Sequence, residues 1–190
     1  MTFVQAPTSL IEVALDGTPH SILTVVGFVQ VFNHVKFMTL STRATGTLHS
    51  ATNKFSACFD RLTKLVIMLD HCDFVWVMDL VHCCPQLKVL SIQRCLYSSY
   101  TFTWSKPISV PKCFLSSFTQ VSYRGFEGLE NEMSLLQFIL NHALVMEIVD
   151  IRCVPWVKDR MKENFHLLDR MSTFSKGSPT CKISSALLRC

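Results

Sequence analysis

The chain has 190 residues, 49% hydrophobic and 17% charged, with a formal net charge of +4. That is enough chain for one good core, too short for two comfortable domains and too apolar for intrinsic disorder. The charge is mild and unclustered, seven Lys/Arg against six Asp/Glu in residues 1–95 and eleven against eight in residues 96–190, so neither nucleic acid nor membrane is expected as a partner.

In chain order, apolar residues recur at a spacing of three and then two. The triplets are Leu10, Val13, Leu15; Val35, Met38, Leu40; Leu62, Leu65, Ile67; Leu87, Leu90, Ile92; Phe118, Val121, Tyr123; and Met146, Val149, Ile151. Their first positions lie 25, 27, 25, 31 and 28 residues apart. This L-x-x-L-x-L period is the leucine-rich-repeat pattern, in which each unit gives a short strand and a returning helix or loop. The expected fold is therefore α/β: a leucine-rich-repeat-like solenoid of about six short parallel strands with helical or irregular returns.

The returns differ in clarity. Ile22, Val25, Val26, Val29 and Phe32 keep helical spacing, and Phe74, Val77, Met78 and Val81 do so more cleanly behind Asp73, a candidate N-cap. Residues 41–61, rich in Ser, Thr and Ala without a period, predict an irregular return. Residues 97–108 predict a loop. Residues 110–151 read as a strand, a glycine turn at Gly125-Phe126-Glu127-Gly128, a helix and a second strand. The helix buries Leu129, Met133, Leu136, Leu140 and Ala143, and leaves Glu130 and Glu132 off that stripe in the first turn, where the helix dipole favours negative charge. Pro155 suits a helix start, with Val157, Met161, Phe165 and Leu168 as its apolar stripe. Gly177-Ser178-Pro179 then turns the chain into a last strand at Cys181-Lys182-Ile183 that helps cover the open end, and residues 185–190 are a tail.

No apolar run reaches the ~20 residues of a membrane span, and Met1 to Ala6 lack the character of a signal peptide. The nine cysteines, an odd number scattered through apolar segments, read as buried free thiols in a reducing cytoplasmic or nuclear setting. His71-Cys72 and His82-Cys83-Cys84 lack the paired spacing of a zinc site. No cysteine stands in an activating context, and there is no phosphate-binding glycine loop, nucleophile elbow or H-E-x-x-H. Trp76, Trp104 and Trp156 are read as packing residues. No catalytic residue, metal or cofactor is expected.

With the triplets inward, the residues between them form rows on the opposite strand face. These are Glu12, Ala14, Asp16; Phe37, Thr39, Ser41; Lys64, Val66, Met68; Val89, Ser91, Gln93; Gln120, Ser122, Arg124; and Ile148, Asp150, Arg152. The mixture reads as neither basic nor acidic. Repeat proteins use extended faces of this kind for partners, and this face is the candidate partner-binding site.

Trp104-Ser105-Lys106-Pro107, Val110-Pro111-Lys112-Cys113-Phe114-Leu115-Ser116-Ser117, Gly125-Phe126-Glu127-Gly128, Glu132, Leu136, Asn141-His142-Ala143, Met146-Glu147 and Ser178-Pro179-Thr180-Cys181-Lys182 resemble, in order, the FBD domain of plant F-box/FBD/LRR-repeat proteins. Ala6-Pro7-Thr8-Ser9-Leu10, residues 35–41 and Cys84-Pro85-Gln86-Leu87-Lys88-Val89-Leu90 are similar to the repeats that precede it in that family. The resemblance implies a leucine-rich-repeat region at 1–103 and an FBD domain at 104–184 that continues and closes the solenoid. It also implies the substrate-receptor part of an SCF-type ubiquitin ligase, with an unknown protein as partner. Family members begin with an F-box that docks on the ligase adaptor; the first triplet already starts at Leu10, so no F-box and no adaptor binding are expected. A truncated remnant without ligase function and a small thiol- or metal-dependent enzyme are the alternatives.

Overall fold

The structure is a computed structural model, and it describes residues 12–15, 34–51, 59–70, 74–95, 103–153 and 169–185. Seven strands form one sheet: β1 Glu12–Leu15, β2 Phe37–Leu40, β3 Lys64–Leu69, β4 Val89–Arg94, β5 Gln120–Phe126, β6 Ile148–Cys153 and β7 Lys182–Ser185. They lie in chain order and every pairing is parallel. The sheet is open, with β1 and β7 at its edges; the C-terminal section extends it beyond β5 by two strands rather than closing it.

The register follows the triplets. Met38, Leu65, Leu90, Val121 and Val149 are Cα partners across β2 to β6, as are Leu40, Ile67, Ile92, Tyr123 and Ile151. With Val35, Leu62, Leu87, Phe118 and Met146 just ahead of the strands, none of these side chains is more than 1% exposed. Each such burial contributes ~1.5–3 kcal/mol. Val13 and Leu15 take the matching places in β1; Leu10 lies outside the described residues.

The main chain repeats a device at each strand start. The Lys36 carbonyl accepts from the N–H groups of Thr63 and Lys64, that of Thr63 from Lys88 and Val89, that of Lys88 from Thr119 and Gln120, and that of Thr119 from Glu147 and Ile148. Glu147 continues the series by accepting from Lys182. One acceptor thus fixes the head of each following strand, which is why the register holds although the returns differ in length.

Among the described residues the returns include α1 Thr42–Ala51, α2 Phe74–His82, α3 Lys112–Ser116 and α4 Glu130–His142. Helix α1 corrects the irregular return expected there. Ser41 caps it, accepting from the Ala44 N–H at 3.3 Å, and Ala44, Thr45 and Leu48 are buried. These residues are mostly too small to make an apolar stripe. Helix α2 is as expected and is buried nearly all round, with Trp76 inside it only 6% exposed and edge-on to His49. Helix α3 is a short turn ahead of β5 where the sequence suggested extended chain, and it buries Cys113 and Phe114. Phe114 stacks with Phe118, and Phe138 of α4 packs against Trp104 and His142.

At the C-terminal end the Ser178 hydroxyl donates to the Met146 carbonyl at 2.6 Å, tying the turn before β7 to the head of β6. Arg170 grips Glu130 of α4 through both terminal nitrogens, at 2.9 and 3.0 Å. The return expected over Ile22 to Phe32, the Asp73 cap, the helix after Pro155 with Trp156, and His71-Cys72 lie outside the described residues.

Candidate recognition face

Alternation along each strand places the residues between the triplets on the sheet face away from the buried rows. In register, the first row runs Phe37, Lys64, Val89, Gln120, Ile148, Lys182, and the second Thr39, Val66, Ser91, Ser122, Asp150, Ser184. Met68, Gln93, Arg124 and Arg152 make a third row nearer the strand ends. All are partly or fully exposed. Glu12 and Ala14 stand in register with Phe37 and Thr39, and Asp16 lies outside the described residues. Ser41, expected in the Phe37 row, instead follows β2 and caps α1.

The face is crossed by polar contacts. Ser122 donates to Ser91 at 2.9 Å, and the Arg152 Nε donates to Asp150 at 3.2 Å. Over the six strands beyond β1 the face is more positive than the full rows, which also count Glu12 and Asp16. From β2 to β7 it carries Lys64, Arg124, Arg152 and Lys182 against Asp150 alone, four positive less one negative, a net +3. The acids that follow β5 do not reduce this charge, because they lie on the other side of the sheet.

Those acids form a buried ionic cluster behind the face. Arg94 ends β4 at an inward position, with Leu90 and Ile92, and its side chain is 4% exposed. Its Nη1 lies 2.7 Å from Glu127 Oε2 and 3.4 Å from Glu132 Oε1. Tyr123 donates its hydroxyl to Glu132 Oε1 at 2.7 Å, while the Glu127 and Leu129 N–H groups donate to Glu132 Oε2 at 3.0 Å. Glu132 thus caps the start of α4 and also binds two strands. Burial pushes its carboxyl up, opposed by the hydrogen bonds from Tyr123, Leu129 and Glu127 and by the Arg94 charge. Burial, then the Glu132 charge, hold the Tyr123 hydroxyl well above its usual range. The sequence reading left Glu132 off the buried stripe as a dipole partner, and the structure corrects this: it is wholly buried. A signal was present, since alternation from Leu90 and Ile92 puts Arg94 inside, where a charge requires a partner.

Gly125 makes this cluster possible. It has φ +82°, at a register shift between Arg124 and Phe126, and a Cβ there would stand 3.0 Å from both the Cβ and the carbonyl oxygen of Arg94. Glycine alone permits both the backbone angle and the approach.

The reactive residue types have structural employment. Cys83, Cys84, Cys113 and Cys181 are buried free thiols, and burial pushes the Cys113 thiol up to about 12. His82 is held by the Met78 carbonyl at one ring nitrogen and by Ser109 at the other. No group of three or more His, Cys, Asp or Glu placed to hold a metal occurs among the described residues. No helix among them is long and apolar enough to cross a membrane.

The FBD family model matches residues 106–151, the stretch from the approach to α3 through most of β6. An Arabidopsis thaliana relative described as an FBD-associated F-box protein is 22% identical over 217 aligned residues, covering 95% of this chain and 48% of its own length. A further FBD-associated F-box protein of Arabidopsis thaliana is 28% identical over 105 residues, covering 53% of this chain and 21% of its own. An F-box/FBD/LRR-repeat protein of the same plant is 26% identical over 102 residues, covering 52% and 24%. The chain therefore spans about half or less of the length of the curated relatives it matches. No solved structure gives a significant match.

Proposed function

We infer that this chain, a member of the plant F-box/FBD/LRR family by its FBD segment, is a non-enzymatic protein-recognition module. The observation that carries the reading is the face itself: rows of outward side chains held in register across six strands over a closely packed core. A rigid scaffold displaying an extended mixed surface is suited to binding another protein. In this reading the sheet is the strand face of a leucine-rich-repeat-like solenoid, with residues 1–103 as the repeat region, 104–184 as the FBD domain and 185–190 as a tail. The module is then read as the part of a ubiquitin ligase that selects a protein substrate in the cytoplasm or nucleus, a setting supported by the F-box named in the relatives' descriptions.

The test is to block the face without touching the core. Ser91→Tyr with Ser122→Tyr adds bulk at the centre of the second row, and an unchanged circular dichroism spectrum verifies the fold. Proteins retained from plant extract by the tagged wild-type chain should be lost with the double variant. Retention of the same set by both would overturn the assignment.

A further inference from the structure

We propose that the strand-end part of this face, centred on Arg124 and Arg152, binds an acidic peptide segment through its carboxylates. This deepens the recognition reading and rests on it. Arg124 and Arg152 are Cα partners on adjacent parallel strands, so two guanidinium groups leave the same face side by side. Like charges placed directly opposite one another disfavour a sheet, and nothing in the packing requires them, because both side chains are exposed. Arg124 makes no ion pair among the described residues, and Arg152 uses only its Nε on Asp150, leaving its terminal nitrogens for a ligand.

Asp150 offsets one of the two charges, and the acids that follow β5 do not offset the other. Glu127 and Glu132, which follow β5 directly, turn to the opposite side of the sheet and hold Arg94 and Tyr123. Behind the sheet two carboxylates meet one guanidinium, and in front two guanidinium groups meet one carboxylate, Asp150. Lys64 and Lys182 extend the positive character toward both sides of the first row, and Gln93 and Met68 continue the arginine row across β4 and β3. A forked guanidinium matches a carboxylate with two parallel hydrogen bonds, which selects for this anion geometry as well as charge.

The spacing suits a chain. Adjacent strands stand ~4.8 Å apart, and alternate side chains of an extended peptide stand ~6.6 Å apart on one side. Two long side chains that splay from neighbouring strands can therefore each take one of two carboxylates placed two residues apart. Nucleic acid fits less well: Asp150 sits within the patch, and of the aromatic residues only Phe37, at the far end of the first row, is on the described face for bases to stack against.

The probe is a fluorescein-labelled peptide of roughly eight residues, long enough to cross four strands, with glutamate at alternate positions, compared with its glutamine counterpart. Binding to the full chain is read by anisotropy at low and high salt. The glutamate peptide should bind at least tenfold more tightly than the glutamine one, and weaken with salt because the arginines are exposed. Arg124→Gln with Arg152→Gln should remove that preference, Arg124→Lys with Arg152→Lys should weaken it, and Lys112→Gln on α3 should leave it intact. Equal binding of the two peptides, or an unchanged preference in the arginine-to-glutamine variant, overturns the proposal. So does tighter, arginine-dependent binding of an oligothymidine, which would make the patch a phosphate site. If the tyrosine pair at Ser91 and Ser122 abolishes partner capture while the arginine variants leave capture and peptide binding unchanged, the acidic ligand is wrong and the face stands. If neither set changes capture, both fail.

Discussion

The β2–α1 and β5–α4 units lie on one sheet and are both a strand followed by a helix, yet opposite chemistries seal them. At β2–α1 the junction is small and nearly neutral: one serine hydroxyl caps the helix, and Ala44, Thr45 and Leu48 bring it against the strands. At β5–α4 a glutamate caps the helix and simultaneously binds a tyrosine on β5 and an arginine on β4. The first solution orients a helix locally. The second also fixes one repeat to the next, because removing any partner leaves a buried group unsatisfied. What the difference teaches is that a regular ladder can place a non-local polar lock at a single rung, and here its Tyr123 and Glu132 lie well inside the segment matched to the FBD family while Arg94 precedes it.

The contrast is broken most severely by Glu132→Ala. It strips Arg94 of one partner and leaves the Tyr123 hydroxyl and two N–H groups without their acceptor, so it should cost ~3–5 kcal/mol by urea denaturation. A loss no larger than that from an exposed cap would show that the cluster is not a lock. Next comes Gly125→Ala, which forces an L side chain to φ +82° against Arg94. It should cost ~1–3 kcal/mol and should reduce the penalty of a following Glu132→Ala, because the two act on one cluster. At the other junction, Ser41→Ala removes only the α1 cap and should cost ~1 kcal/mol, without coupling to Glu132→Ala in a double-mutant cycle.

The smallest effect at neutral pH concerns Cys113, which is buried on α3 next to Phe114. Its thiol is raised from 9.0 to about 12 by burial, so the folded chain keeps it neutral where the unfolded chain ionises it. The stability this confers is fully present below pH 9.0 and is lost as the pH rises from there toward about 12. Cys113→Ala should flatten that alkaline limb, and the native thiol should react with a disulfide reagent only at the rate of unfolding.

Much of the ladder was legible because its signal is repetition. Fifteen positions, from Val35 through Ile151, point inward as the triplet spacing demands. The outward rows followed from the same alternation, which is why Lys64, Val89, Gln120 and Ile148 meet in register although about thirty residues apart. Helix α1 was not legible, since Thr-Arg-Ala-Thr-Gly-Thr presents no stripe, and its helicity depends on the Ser41 cap and on how closely small side chains approach the sheet. Glu132 was not legible from its own neighbourhood, because a first-turn glutamate has the same local pattern whether wet or buried. Only Arg94, thirty-eight positions earlier, reveals it. The positive character from β2 to β7 was already present in the outward rows as Lys64, Arg124 and Arg152 against Asp150, and β7 adds Lys182 in register with Ile148.

The strand-start acceptors carry one more consequence. Each is a peptide carbonyl, belonging in turn to Lys36, Thr63, Lys88, Thr119 and Glu147; the hydroxyls of Thr63 and Thr119 add a second bond to the acceptor before them, but the main-chain bonds recur whether the side chain is a cation, a hydroxyl or an anion. The grammar of stacking is thus written in the main chain, and the outward side chains form a separate vocabulary. Such a scaffold can diverge into many readers of different partners by respelling its surface one residue at a time, with the order of its rungs left undisturbed.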